Sequence, residues 1–421
     1  MCLSRFRSLT MAGYLMPIMA FTLFGLSCSV TQANIYYSAK VAGPVINIHV
    51  INEQGQLTKI TDNKRWRDIE HDVASNGLIS FASNRKINAV HDRSRRQENY
   101  QIFVKNQKTD ELLQISQQYK QARQPKFSPL ADQLAFIALE EQQQTLVVYD
   151  LATKNYIALA SAKRIYNFAW SPDNQHIVLS AQHNKFASLA IINSKNLTTE
   201  TIVRAAIKED ESQKTTPQNT QGAFQKTKQK NTEKGIPTNT QLSPQTSQPL
   251  KPINIQQAEQ LFVAPTWSPD GNHIAYISHP LTKQSSRALN VYQLAEQKIQ
   301  RISVANIQVQ APITWSSHSD SLLYSALVNY RQYYDDNIHK KVYLGGMHIF
   351  NSDLVGNTTQ LTQGDNLFKQ PVFSPDEKRI AYLYADKLNA RTLQLNTMLA
   401  DGSKQKVLRQ GIAKNAVLQW H

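Results

Sequence analysis

The chain has 421 residues, 46 of them Lys or Arg against 31 Asp or Glu, for a formal net charge of +15. With 41% hydrophobic residues, 14 Phe, 17 Tyr and 5 Trp it can build a sizeable core, which excludes a wholly disordered chain. Both cysteines, Cys2 and Cys28, fall in the first 28 residues, so a disulfide framework, a cysteine-ligated zinc site and a catalytic thiol are excluded from the remainder.

Residues 1–33 combine Arg5 and Arg7, an apolar run from Met11 to Leu26, and a small, polar end at Thr31-Gln32-Ala33. That order predicts a secretory signal cleaved after Ala33 and export to the periplasm. The run is short for a membrane span and Pro17 interrupts it, so no transmembrane anchor is expected after cleavage. The alternative is a lipoprotein acylated at Cys28, but Gly25 stands where a leucine is expected three residues earlier. Removing 33 of the 421 residues, Arg5 and Arg7 among them, leaves 388 residues and lowers the charge from +15 to +13.

One phrase then recurs: Pro-Lys-Phe-Ser-Pro from Pro125, Phe-Ala-Trp-Ser-Pro-Asp from Phe168, and Pro-Thr-Trp-Ser-Pro-Asp-Gly from Pro265. It returns as Ile-Thr-Trp-Ser from Ile313 and Pro-Val-Phe-Ser-Pro-Asp from Pro371, with a degenerate copy from Asp72. Each copy precedes an apolar run, and Pro, Asp and Gly are residues that turns require, so each reads as a β-hairpin. Two further β-rich runs follow each hairpin, and four strands per unit predict a propeller blade. The matching turn positions Ser75, Pro129, Pro172, Pro269, Ser317 and Pro375 are spaced by 54, 43, 97, 48 and 58 residues. Only the 97 is out of range. It contains the polar tract 208–255, expected to be a disordered insertion because it cannot bury enough apolar area to offset its ordering entropy. Without those 48 residues the spacing becomes 49.

The two ends read as parts of one more unit. Ile35 to Ala39, Val45 to Ile51 and Leu57 to Ile60 are expected as its second, third and outer strands, and Asn415 to Trp420 as its innermost. The expected fold is an all-β propeller over residues 34–421, with seven blades favoured over six and a closing blade built from both termini.

The phrases Trp170-Ser171-Pro172-Asp173 and Trp267-Ser268-Pro269-Asp270-Gly271 resemble the repeats of TolB-type periplasmic β-propellers, and are similar to those of prolyl oligopeptidase propellers. The resemblance covers most of residues 34–421 outside the insertion. It implies a place in the cell envelope, since TolB proteins act there with a peptidoglycan-associated lipoprotein. The α/β domain that precedes the TolB propeller is not expected here, because too few residues separate Ala33 from the first strand. No α/β-hydrolase domain is expected after it.

No catalytic or cofactor motif is apparent: no Gly-x-Ser-x-Gly elbow beyond the leader, no phosphate-binding glycine loop, no His-Glu-x-x-His and no EF-hand spacing. No cofactor, metal or catalytic residue is therefore assigned. His176 and His273 share one repeat position and are expected to be structural, and His71 is a channel candidate for ligand or acid/base work. Two basic loops are expected on one rim with the insertion: Arg85-Lys86 through Arg93, Arg95 and Arg96, and Tyr330 to Lys341 with Arg331, Tyr333, Tyr334, Lys340 and Lys341. Positive charge beside aromatic rings suggests an acidic partner: a cell-envelope protein such as a lipoprotein, or an acidic glycan. Nucleic acid is not expected, because the basic residues are spread over many blades without a recognisable module. The sequence thus points to a monomeric, non-enzymatic binding or scaffolding protein. The alternative is a propeller enzyme (lyase, lactonase or glycan-acting) with its site at the channel mouth.

Overall fold

The structure is a computed structural model that describes residues 33–40, 44–85, 99–140, 142–207, 252–255, 259–282, 286–414 and 416–421. Its strands follow chain order in groups. β1 (Asn34–Lys40), β2 (Ile46–Asn52) and β3 (Leu57–Lys59) are followed by blade 1: β4 (Asp68–Val73), β5 (Leu78–Ser83), β6 (Gln101–Asn106) and β7 (Leu112–Gln114). Blade 2 is β8 (Gln121–Phe127), β9 (Gln133–Leu139), β10 (Gln144–Asp150) and β11 (Tyr156–Ala162). Blade 3 is β12 (Arg164–Trp170), β13 (His176–Gln182), β14 (Phe186–Asn193), β15 (Thr199–Ala206) and a fifth strand, β16 (Ile253–Ile255). Blade 4 is β17 (Gln260–Trp267), β18 (His273–Pro280), β19 (Ala288–Gln293) and β20 (Lys298–Arg301). Blade 5 is β21 (Ile307–Trp315), β22 (Ser321–Asp335), β23 (Lys340–Asp353) and β24 (Thr358–Gln360). Blade 6 is β25 (Leu367–Phe373), β26 (Arg379–Ala385), β27 (Thr392–Leu399) and β28 (Lys406–Ala413), and the chain ends in β29 (Leu418–Trp420).

β29 pairs with β1, so the sheet β29-β1-β2-β3 is a seventh, closing blade made from both ends of the described chain. The backbones of Asn34 and His421 exchange hydrogen bonds at 2.6 and 3.0 Å. The seven-bladed reading and its closure hold, with each end segment in the expected strand.

Second and third strands of the blades are near-continuous apolar runs because both faces are covered by neighbouring blades, as in Ile177 to Ala181 of β13, whereas outer strands such as β11 are only partly buried. The core is accordingly partitioned by junction. One cluster, including Ile35, Tyr37, Leu383, Leu395, Leu418 and Trp420, joins blade 6 to the closing blade. Another, including Tyr36, Ile48, Val50, Ile79 and Phe103, joins the closing blade to blade 1. Five more fill the remaining junctions, so every blade packs on two neighbours around the ring.

The recurrent phrase closes the hairpin between first and second strands through its serine. Ser171 Oγ accepts the His176 N–H at 3.0 Å, and Ser268 and Ser374 repeat the bond to the N–H groups of His273 and Arg379. These hydroxyls donate in turn to the aspartate two residues on: Asp173, Asp270 and Asp376. In blades 2 and 5 that aspartate is missing, and Asp132 and Asp320, four residues after Ser128 and Ser316, take its place at 2.6 Å.

One expectation is corrected at its boundary. Residues 208–251 of the expected disordered insertion, like residues 1–32 of the expected leader 1–33, lie outside the described residues. Ile253–Ile255, at the end of that tract, is a strand running parallel to β15. Two isoleucines, β-branched and half-buried, gain cover against the blade edge that the polar average of the tract conceals.

Candidate functional site

The inner strands line the channel, and each from β4 to β25 breaks register with its second strand at a bulge. At four bulges the non-glycine residues Glu70, Gln124, Ala264 and Gln370 hold φ between 52° and 54°. That conformation costs of order 1 kcal/mol each and turns these residues out of the regular ladder.

At the junction of blades 1 and 2 the Glu70 carboxylate receives Arg123 at two points, Nε to Oε2 at 2.9 Å and Nη2 to Oε1 at 2.5 Å, together with the Gln124 N–H at 2.9 Å. Gln124 Nε2 donates to the Tyr166 carbonyl at 3.0 Å, and Asn167 Oδ1 accepts the Ala264 N–H at 3.0 Å, carrying the network round to blade 4. Asp72 binds Lys126 Nζ at 3.2 Å, the Phe127 N–H at 2.8 Å and Gln419 Nε2 of the closing strand at 2.9 Å. Asp68 is held by Arg85 and Ser83. Each of these three β4 carboxylates is matched to a cation, and those of Glu70 and Asp72 tie blade 1 to blade 2. Among the described residues no three His, Cys, Asp or Glu side chains come together to hold a metal.

The histidines divide as follows. His176 Nδ1 lies 2.7 Å from Asp173 within its hairpin turn. Burial raises the Asp173 pKa, but hydrogen bonds from Ser171, Gln175 and His176 outweigh it and bring the carboxyl down to about 2. His71 is 2% exposed and bonded through Nδ1 to Ser38 Oγ at 3.1 Å, so it is packed between β4 and the closing blade, away from solvent in the channel.

Arg85, counted with the rim by its sequence, is instead part of the blade. Its guanidinium binds Asp68 and lies over the rings of Phe81 and Phe103, 5.2 and 5.3 Å from their centroids. Arg93, Arg95 and Arg96 lie outside the described residues, but β5 ends and β6 begins at the face where every second-to-third strand connection emerges.

The segment Tyr330 to Lys341, expected as a loop, is corrected to a continuation of β22 and β23 into a hairpin arm. Arg331 to Asp335 pair with Leu344 to Lys340 in register, and only residues 336–339 turn. Five paired residues carry the arm roughly 17 Å beyond the blade. β-forming partners Tyr333↔Val342 and Gln332↔Tyr343 explain the pairing, and Asp335 Oδ1 accepts the Asn337 N–H at 2.9 Å to make the turn. At its base a bulge sets Asn329 and Tyr330 against Gly345. Gly345 has φ +81°, and a Cβ there would meet the carbonyl oxygens of Val328 and Asn329, so this position requires glycine. The two-residue period puts Arg331 and Tyr333 on one face of the arm with Val342 and Leu344, and Tyr334 and Lys341 on the other with Tyr343. Tyr333 and Tyr334 are about half exposed.

Beneath the Tyr343 face lies a pocket of about 350 Å³ between blades 5 and 6, which sequence reasoning missed. Its polar lining is Lys369, Lys414, Gln310, Gln370, Asn389 and the rings of Tyr330 and Tyr343, and Leu327, Met347, Leu367 and Leu388 supply apolar walls. Among the described residues two lysines and no carboxylate line it. Lys369 Nζ donates to the Lys414 carbonyl, and burial together with the neighbouring Lys414 charge pushes its amine down to about 8. Gln370 Oε1 is buried without a hydrogen-bond partner. The signal was faint, since Lys369 is simply the residue two before the proline of a repeat phrase.

No protein-family model matches the chain, and no curated protein matches it. Among solved structures, a prolyl endopeptidase is matched at a TM-score of 0.56 and 9% identity over 91% of this chain and 50% of that one. The acylaminoacyl peptidase of Pyrococcus horikoshii gives 0.52 and 13% over 90% and 51%, so the chain spans about half the length of these two peptidases. An oligogalacturonate lyase in complex with manganese gives 0.51 and 10% over 90% and 86%. TolB from Acinetobacter baumannii is also among the matches, at 0.44 and 13%, too loose a likeness to carry an argument. At these identities the likenesses establish the β-propeller fold alone, a fold shared by enzymes and other propellers.

Proposed function

We propose that the chain is an exported, non-enzymatic binding propeller of the cell envelope that holds an acidic partner on the face carrying the hairpin arm. The observation that carries this reading is the arm standing over a pocket with two lysines and no carboxylate among its lining residues. Arg331, Lys340 and Lys341 on the arm extend the positive field beyond the pocket, and Tyr333 and Tyr334 offer rigid aromatic contact at low entropic cost. The ring presents these groups on paired strands, so little ordering is required on binding. The pairing of the β4 carboxylates with Arg123, Lys126 and Arg85 supports binding over acid/base catalysis.

The test is affinity capture from envelope extract by residues 34–421, compared with the same chain carrying Arg331→Glu, Lys340→Glu and Lys341→Glu. These side chains are exposed, so the variant should keep its thermal midpoint. The wild-type chain is expected to retain a specific acidic component at low salt and release it as salt rises, with at least tenfold less recovered on the variant. Equal recovery by both, or no specific component on either, overturns the reading.

A further inference from the structure

The six bulged inner strands allow a position-by-position comparison of blade junctions. Pairing registers place Arg123, Gln310 and Lys369 at one equivalent site, opposite Ile137, Ser325 and Leu383, each immediately before the bulge. At the junction of blades 1 and 2 the bulge residue of the preceding blade is Glu70, and its carboxylate satisfies both Arg123 and the Gln124 N–H. At the junction of blades 5 and 6 the corresponding residues are Ala311, Lys369 and Gln370. Alanine leaves open the volume that a glutamate side chain fills elsewhere, and Ala311, Lys369 and Gln370 all line the 350 Å³ pocket. A cation and a buried, unpartnered Gln370 Oε1 remain there. The molecule thus contains its own template of the filled site.

We propose that this pocket binds a carboxylate supplied from outside, the acidic side chain of a glutamyl residue in a partner polypeptide, seated where Glu70 sits against Arg123. The carboxylate would accept from Lys369 Nζ, and a peptide N–H of the ligand would donate to Gln370 Oε1. Leu327, Met347, Leu367 and Leu388 match the methylenes and an apolar neighbour better than a hydroxyl-rich sugar ring. The proposal rests on the binding reading above and assigns its recognition chemistry. Besides Lys369, the charged and titratable groups facing the site are Lys414, Tyr330 and Tyr343, with Arg287 behind Gln310 at 3.0 Å. The partly buried Lys369 loses its proton as pH rises through about 8, so binding should weaken from pH 7 to 9.5.

The experiment is ligand-observed NMR of residues 34–421 with N-acetyl-glutamate methylamide, N-acetyl-glutamine methylamide and glucuronate at millimolar concentration. Saturation transfer is expected to the glutamate probe alone, and at least tenfold weaker binding on Lys369→Met. That substitution removes a partly buried charge and should raise the thermal midpoint, which separates loss of the site from loss of the fold. Ala311→Glu, which places a carboxylate on a residue lining the same pocket as Lys369, should also block the probe. Binding unaffected by both substitutions, equal binding of the glutamine probe, or preference for glucuronate overturns the proposal. Failure here with envelope capture intact removes only the glutamyl assignment, whereas probe binding with no capture removes the envelope reading.

Discussion

Deleting residues 416–421 should lower the unfolding free energy by about 5 kcal/mol or more and leave the ring open. Leu418 and Trp420 are 4% and 8% exposed in the cluster that joins blade 6 to the closing blade, and burying such side chains contributes about 1.5–3 kcal/mol apiece. The deletion also strips β1 of its inner partner and Asp72 of its bond from Gln419, exposing a strand edge and a channel carboxylate together. Against a typical total of about 5–15 kcal/mol the loss is severe. Equilibrium urea unfolding measures it, with binding of a hydrophobic dye reporting the exposed junction. A midpoint within error of the intact chain would mean that the final strand is not part of the ring's closure.

Acid should destabilise the protein through His71 between pH 6.5 and 4. Burial is the largest cause of its low pKa, with Lys126 and His421 acting in the same direction, and together they overcome the opposing charge of Asp72 and a backbone hydrogen bond at Tyr36 to hold it at about 4. The unfolded chain binds this proton below about pH 6.5. Between pH 6.5 and 4 the unfolded state therefore carries more protons than the folded one, and stability falls as pH falls. The stabilisation is complete above pH 6.5, and its loss down to pH 4 amounts to about 3 kcal/mol. His49, His183, His279, His348 and His421, all lowered chiefly by burial, act in the same direction. Urea midpoints of wild type and His71→Gln across pH 4–7 test this. The variant should lose about one proton's worth of slope in that window, and parallel curves would show that His71 does not titrate as its burial requires.

The ring was readable because its signals are local. Ser-Pro-Asp turns, aromatic strand ends and apolar runs lie within twenty residues of one another, and the terminal strands were recognisable as the pieces that a four-stranded unit lacked. The features that form the site are relations between blades, and no sequence period marks them. Glu70 meets Arg123 across 53 positions, whereas the blade before Lys369 carries Ala311 at the position equivalent to Glu70. The non-glycine bulges at Gln124 and Gln370 give no glycine signal, although their φ is positive. The arm was hidden for another reason: charged and turn-forming residues between Tyr330 and Lys341 mask cross-strand pairs such as Tyr333↔Val342, whose apolar faces find no core. Ile253–Ile255 likewise owes its strand to the edge of β15 rather than to its own composition.

Closure of the ring by both ends of the described chain is the claim on which the blade count, the junction template and the placement of the arm depend. Tyr36 and Gln419 face one another across β1 and β29, and a hydrogen-bonded antiparallel pair has its Cα atoms about 5.5 Å apart, within disulfide range. The direct measurement is oxidation of a chain carrying Tyr36→Cys and Gln419→Cys, with Cys2 and Cys28 replaced by serine, followed by non-reducing electrophoresis and mass spectrometry of the cross-linked peptides. The structure predicts near-complete intramolecular cross-linking under native conditions and a thermal midpoint that is higher in the oxidised variant than in the same variant reduced. Two free thiols persisting in the folded chain under oxidant, or cross-links only between molecules, would contradict it.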